Sequence, residues 1–146
     1  MNAESGNKVF RTRVRYAECD AHGELFMASC VNYFSEAAAF ALRSIDIDLR
    51  AMTARGGSLR ECAVMAQLHH ALGCDDEIEV VARLEEQQTQ EFTLAIEVRL
   101  LRERRLVAEG RMRYVARPTP SGGTGALPAD LQARLPLLKH QTTGRN

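Results

Sequence analysis

Tyr16-Ala-Glu-Cys-Asp20-Ala-His-Gly23 and, shortly after it, Val31-Asn-Tyr-Phe-Ser-Glu-Ala-Ala-Ala-Phe-Ala-Leu-Arg-Ser44 form the stretch that decides how this chain folds. The second piece has the helical period: Val31, Phe34, Ala38, Ala41, Leu42 and Ile45 fall on one stripe. Ala37, Ala38, Ala39 and Ala41 keep that helix thin, so it can lie close to a sheet. Ser29 is the expected N-cap, because its hydroxyl can accept from a free amide of the first turn. The first piece is a polar break, with Gly23 available for a sharp turn.

Working outward, Val9–Tyr16 alternates, with Phe10, Thr12, Val14 and Tyr16 opposite Arg11, Arg13 and Arg15. That pattern predicts a half-buried strand. The residues after Ile45 lead to a loop at Gly56-Gly57. Four strand-like runs follow, Leu59–Leu72, Glu77–Leu84, Glu91–Leu101 and Arg105–Arg117, with a hairpin turn at Arg102–Arg105. Consecutive strands with tight turns predict an antiparallel meander. Strand, long helix and four strands make an α+β fold: about five antiparallel strands packed on one central helix. We read residues 1–146 as a single domain, with a core over 9–117, a loop and short C-terminal helix over 118–138, and a tail over 139–146. One helix cannot cover both sheet faces and both edges, so self-association is expected.

The bulk composition excludes several classes. Apolar residues make up 45% and charged residues 26%, a globular balance. With formal net charge zero, attraction to nucleic acid or anionic lipid has no long-range source. No run approaches the ~20 apolar residues of a membrane span. Met1–Lys8 lacks the apolar core of a signal peptide, so a cytoplasmic location is expected. Cys19, Cys30, Cys62 and Cys74 show no paired spacing, which argues against a disulfide framework or a zinc site. His69-His70 would face opposite sides of a strand and cannot together chelate a metal. No metal and no cofactor are expected.

The stretch Tyr16–Gly23, with Phe26-Met-Ala-Ser29 and Val31-Asn-Tyr33-Phe34, resembles the first motif of the 4-hydroxybenzoyl-CoA thioesterase-like hotdog proteins, most nearly their short-chain acyl-CoA thioesterase branch. The likeness continues through Leu106-Val-Ala-Glu-Gly110. It implies a hotdog fold, with the sheet wrapped around the long helix. It also implies a homo-oligomer, dimer or tetramer, with a site at the dimer interface near the helix N-terminus. Asp20 takes the family's catalytic aspartate position, as nucleophile or general base. Met27 takes the position whose backbone N–H faces the thioester oxygen, with the helix dipole behind it.

Around these, Tyr16 is a further catalytic candidate. Gly23, Phe26, Cys30 and Ser35 are candidates for substrate contact, with Phe26, Met27 and Cys30 forming an apolar pocket mouth. Arg102 and Arg104, with Arg105, Arg111, Arg113 and Arg117 nearby, could meet a phosphate or a phosphopantetheine arm; the other reading is a solvated charged face. His22 is more readily a solvated loop histidine than a base. Glu36, like Ser35, could look into the pocket or into solvent. Relatives often carry histidine at the Met27 position and tyrosine at the Cys30 position; both are lost here. Cys30 as a nucleophile near the helix N-terminus is a lesser alternative.

Gln88-Thr-Gln-Glu-Phe92 and Leu106–Arg113 also resemble hotdog thioesterases that release polyketide chains from carrier proteins, including those of enediyne pathways. The expectation is therefore an enzyme acting on an acyl thioester of CoA or of an acyl carrier protein, with an apolar acyl group, a medium chain or a polyketide. The alternative is a non-catalytic hotdog acyl-binding or assembly subunit. No nucleic-acid partner and no membrane partner are expected.

Overall fold

Alternation of apolar and polar side chains builds the sheet. In β4 (Glu91–Leu100), Phe92, Leu94, Ile96 and Val98 are buried, while Thr93, Ala95 and Glu97 between them are half-buried. The computed structural model describes residues 9–57, 59–117 and 125–139. Its other strands are β1 (Phe10–Arg13), β2 (Leu59–Leu68), β3 (Glu77–Gln87) and β5 (Arg105–Ala116). The five run antiparallel in the order β1-β3-β4-β5-β2. The inner face carries Ile78, Val80 and Leu84 of β3, the β4 row, and Ala108, Met112 and Tyr114 of β5. Phe92 and Tyr114 stack there with ring centroids 5.1 Å apart.

The long helix α1 (Met27–Ser44) lies on that face and buries Phe34, Ala37, Ala38, Ala41 and Leu42. The expected α+β layout is therefore present, and the alanines do allow close approach. Phe34 sits directly on the backbone of β5: a Cβ on Gly110 would come within 2.6 Å of its ring.

The outer face is charged and self-paired. Arg111 meets Glu85 at 2.9 Å, and Arg99 meets Glu97 at 3.0 Å. Arg113 donates to the Cys62 sulfur at 3.3 Å and lies 4.0 Å from Glu91. Two arginines offered above to a phosphate, Arg111 and Arg113, are thus engaged within the sheet.

Several boundaries differ from the sequence expectation. The first strand ends at Arg13, because the chain turns at Val14 into a 3-10 turn over Tyr16–Glu18. The helix begins at Met27, a turn before Val31, and Phe26 is its N-cap, so Ser29 lies inside the helix and caps nothing. The second strand stops at Leu68, short of Leu72. A short helix α2 (Leu49–Ala54) fills the stretch leading to Gly56-Gly57, for which the sequence pattern predicts no element; Asp48 caps it by accepting from the amides of Arg50 (2.8 Å) and Ala51 (3.2 Å). The C-terminal helix is α3 (Ala129–Arg134) plus a 3-10 turn over Leu135–Leu138, with Leu131, Leu135 and Leu138 buried in the core. The loop expected at 118–124 and the tail from 140 lie outside the described residues.

Candidate active site

A three-residue hairpin carries Asp20. Cys19 bridges Leu25, and the Asp20 amide donates to the Glu24 carbonyl at 2.7 Å. The Gly23 amide donates back to the Asp20 carbonyl at 3.0 Å, and Gly23 takes φ +76°, the left-handed conformation that closes such a loop. The predicted turn role of Gly23 is its observed one. Its place here is to shape the loop that presents Asp20.

The Asp20 carboxylate is held on one side only. Oδ1 accepts from the amides of His22 (2.8 Å) and Glu24 (3.1 Å). Oδ2 has no partner among the described residues. The Glu24 amide, then that of His22, outweighs partial burial and holds the Asp20 carboxyl below its usual range. The group is a fixed anion with one oxygen unengaged. The hairpin is in turn anchored: Glu24 bridges Gly73, and the Leu25 amide donates to the Leu72 carbonyl at 2.8 Å.

Phe26 follows directly and starts α1. No side chain caps this helix end, and its first turn holds no acidic residue. Amides at the start of a helix lack intrahelical partners, and the dipole makes them attractive to negative charge. Met27 supplies the first of them. Its side chain is 45% exposed and that of Phe26 49% exposed, so both face outward at this end.

Other candidates are placed differently from the sequence reading. Tyr16 does not end a strand; it opens the 3-10 turn and is 84% exposed, with no fixed partner for its hydroxyl among the described residues. Cys30 is fully buried beneath the helix start, so it cannot form part of a pocket mouth, and burial pushes its thiol up to about 11. A thiol in that state is a wall and not a nucleophile. Ser35 lies farther along α1 and donates to Glu61 Oε2 of β2 at 3.2 Å; Tyr114 donates to Glu61 Oε1 at 3.1 Å. Glu36 is exposed. His22 is exposed, and its amide, not its ring, meets Asp20.

Arg102 lies in the β4–β5 turn and lines a cleft of about 300 Å³ with Arg13, Asp76 and Glu77. That cleft adjoins the Asp20 hairpin through one segment, since Gly73 bridges Glu24 while its amide donates to Asp76 Oδ2 at 2.8 Å. Arg104 takes φ +53° at the turn, and its carbonyl accepts from Arg99 at 3.3 Å. Among the described residues, no group of three or more His, Cys, Asp or Glu could hold a metal ion. His69 lies 3.3 Å from Glu109.

Glu18 went unnoticed in the sequence. Its carboxylate accepts from Tyr33 and its carbonyl from Ser29, so it joins the hairpin to α1.

The family model of the thioesterase-like superfamily matches residues 14–135. The chain belongs to the thioesterase-like superfamily. Thioester hydrolysis is the class of chemistry that goes with it, and the fold is a hotdog. A 1,4-dihydroxy-2-naphthoyl-CoA thioesterase from Synechocystis superposes with TM-score 0.82 at 19% identity, over 90% of this chain and 97% of that one. The dynemicin thioesterase superposes with TM-score 0.81 at 20% identity, over 90% and 96%. A hypothetical protein from Aquifex aeolicus is 26% identical, with TM-score 0.77 over 90% and 98%. No curated protein matches the sequence significantly. Among the described residues, no helix of this thioesterase-like chain is long and apolar enough to cross a membrane.

Proposed function

We propose that the chain hydrolyses an acyl thioester of CoA or of an acyl carrier protein, with Asp20 as the reacting carboxylate. One observation carries this reading: an anion with one oxygen unengaged sits in a rigid hairpin that runs straight into an uncapped helix N-terminus. Its lowered pKa keeps Asp20 ionised at neutral pH, which both routes require. As general base, Oδ2 takes a proton from water while the water oxygen bonds to the thioester carbon. As nucleophile, Oδ2 bonds to that carbon itself, the C–S bond breaks to leave an anhydride and release the thiolate, and water then hydrolyses the anhydride. Either way the carbonyl oxygen gains negative charge, and the Met27 amide is the donor for it. One such donor is worth ~3–4 kcal/mol of barrier. In the general-base route the C–S bond breaks as the adduct collapses; in both routes the departing thiolate takes up a proton.

The outward-facing Phe26 and Met27, with the exposed Tyr16 on the preceding 3-10 turn, suit an apolar acyl group, a medium chain or a polyketide. Solved neighbours named as 1,4-dihydroxy-2-naphthoyl-CoA, gentisyl-coenzyme A and dynemicin thioesterases support a thioester substrate. Arg102, exposed beside the hairpin's anchor and without an ion-pair partner among the described residues, suits a phosphate of CoA or of a phosphopantetheine arm; Arg104 lies in the same turn. A second copy of the chain fits the edge of β2, whose Val64 and Met65 are exposed. A dimer or tetramer built there would bring a second wall to the site. A cytoplasmic location, where such thioesters are made, fits the same reading.

The test is hydrolysis of a panel of acyl-CoA and acyl-carrier thioesters by wild type and Asp20→Asn. Asparagine keeps an oxygen for the His22 and Glu24 amides, so the hairpin should stand while turnover drops ~10²–10⁴-fold. Equal turnover in both proteins would remove Asp20 from the reaction. Tight acyl binding without turnover on any substrate would favour the acyl-binding alternative.

A further inference from the structure

Glu18, close before Asp20 in the chain, accepts four hydrogen bonds that tie it to the 3-10 turn and to the start of α1. Its carbonyl accepts from the Phe26 amide at 3.0 Å and from the Ser29 hydroxyl at 3.0 Å. Its Oε1 accepts from the Tyr33 hydroxyl at 2.8 Å and from the Arg15 amide at 2.9 Å. Phe26, Ser29 and Tyr33 are spaced by three and four, so they stack along one face of the start of α1. One residue therefore grips that face at three successive heights. Turning or sliding α1 would break all three bonds together. Tyr33 is almost fully buried, so water does not readily replace its bond. The fourth bond, to Arg15, fixes the 3-10 turn that carries Glu18 itself.

We infer that Glu18 is a positioning residue: it sets where the Met27 amide lies relative to the Asp20 carboxylate, and it acts on turnover only through those two groups. This rests on the roles proposed above for Asp20 and Met27. The physical ground is the steep dependence of reaction rate on alignment. A misplacement of ~1 Å can cost ~10²-fold, even when its cause lies away from the reacting atoms. A 3-10 turn and a helix end joined only through the Glu18 carbonyl would have that much freedom. The Glu18 carboxylate removes it with its bonds from Tyr33 and Arg15.

The experiment measures kcat and KM separately for Glu18→Gln, Glu18→Ala, Tyr33→Phe and the Glu18→Ala/Tyr33→Phe pair, at a temperature where each is folded by circular dichroism. Glutamine retains an oxygen that can accept from Tyr33 and Arg15, so its kcat should stay within ~3-fold of wild type. Alanine keeps the carbonyl bonds to Phe26 and Ser29 but loses the side-chain bonds to Tyr33 and Arg15, so kcat should fall by up to ~10²-fold while KM stays within a few-fold. Tyr33→Phe should lower kcat in the same direction, and the pair should be no worse than Glu18→Ala alone. Loss of turnover in Glu18→Gln equal to that in Glu18→Ala would overturn the inference, since the charge itself would then be needed. So would an unchanged kcat in Glu18→Ala while Asp20→Asn is inactive, an outcome that leaves the proposed chemistry standing. If Glu18→Ala does not fold, Tyr33→Phe decides: wild-type kcat there overturns the inference. Full activity in Asp20→Asn would instead sink the reading on which it rests.

Discussion

Gly110 is the position where one added methyl group should do the most damage to this fold. It sits in β5, paired with Ile96 of β4 on one side and Ala66 of β2 on the other. A Cβ there would lie 2.0 Å from the Met65 carbonyl oxygen and 2.6 Å from the Phe34 ring. Ordinary contact between such atoms begins near ~3.5 Å, so each neighbour must retreat by about 1 Å or more. Phe34, on the sheet-facing side of α1, is fully buried, so its ring can retreat only against packed neighbours. The Met65 carbonyl belongs to the edge strand and can retreat only by bending β2 away from β5. Overpacking costs about 1–3 kcal/mol, and two obstacles, one of them backbone, place Gly110→Ala near the upper end. At ~2–4 °C per kcal/mol for a chain of this size, Tm should fall by about 6–12 °C. Hydrogen exchange should show the β2 amides losing protection before those of β3 and β4. Phe34→Leu in the same chain relieves the ring but not the carbonyl, so it should restore only part of the loss. An unchanged Tm, or complete rescue by Phe34→Leu, would refute the argument.

Two further outcomes test the site. The native Asp20 pKa is lowered, so the acid limb of kcat/KM should appear only below the ordinary carboxylate value of ~3.9, and stability contributed by Asp20 should be present above that pH and lost as pH falls through the native value; an acid limb near pH ~6 that Asp20→Asn abolishes would contradict the assignment. Phe26→Ser and Phe26→Asp should each gain ~1 kcal/mol of helix capping over Phe26→Ala, yet turn over more slowly than Phe26→Ala, with Asp the slowest; equal turnover among the three would mean that the helix end does not face developing charge.

Residues whose role is local were legible in the sequence. The alternation of Phe92, Leu94, Ile96 and Val98 gave β4, and the small-residue stripe of α1 announced a helix lying close to a sheet. Gly23 marked the turn that presents Asp20. The misreadings occur where a long-range bond overrides a local pattern. Alternation runs on through Tyr16, but the Val14 amide donates to the Asp76 carbonyl, and Glu18 draws the Arg15 amide into a turn. Tyr16 is consequently swung outward. Ser29 looks like a cap, yet its hydroxyl donates to the Glu18 carbonyl, and the helix starts before it. Helix α2 spans only six residues, too few for a period to show; Asp48 ahead of Leu49 was its one signal. Arg111 and Arg113 are engaged on the outer sheet face by Glu85 and by Cys62 and Glu91 of other strands, pairings that no single strand displays. Glu18 stayed hidden for the same reason: its partner Tyr33 comes more than ten residues later.

The start of α1 is where these observations pull against stability. A helix of eighteen residues would ordinarily begin with Ser, Thr, Asp or Asn, and a cap of that kind is worth ~1 kcal/mol. Here the first residue is preceded by Phe26, which satisfies none of the free amides and leaves its own ring half outside. Two better caps lie close by in sequence, Asp20 and Ser29, and the fold turns both away: Asp20 closes its own hairpin, and Ser29 points to Glu18. Glu18 then does by position what a cap does by direct bonding, and holds the helix end still while leaving its amides open. An arrangement that forgoes capping and adds a separate device to keep the same amides in place makes sense if those amides have another use. In a thioesterase-like chain with a fixed anion in the adjoining hairpin, the use proposed above, holding the charge that develops on a thioester oxygen, supplies that reason.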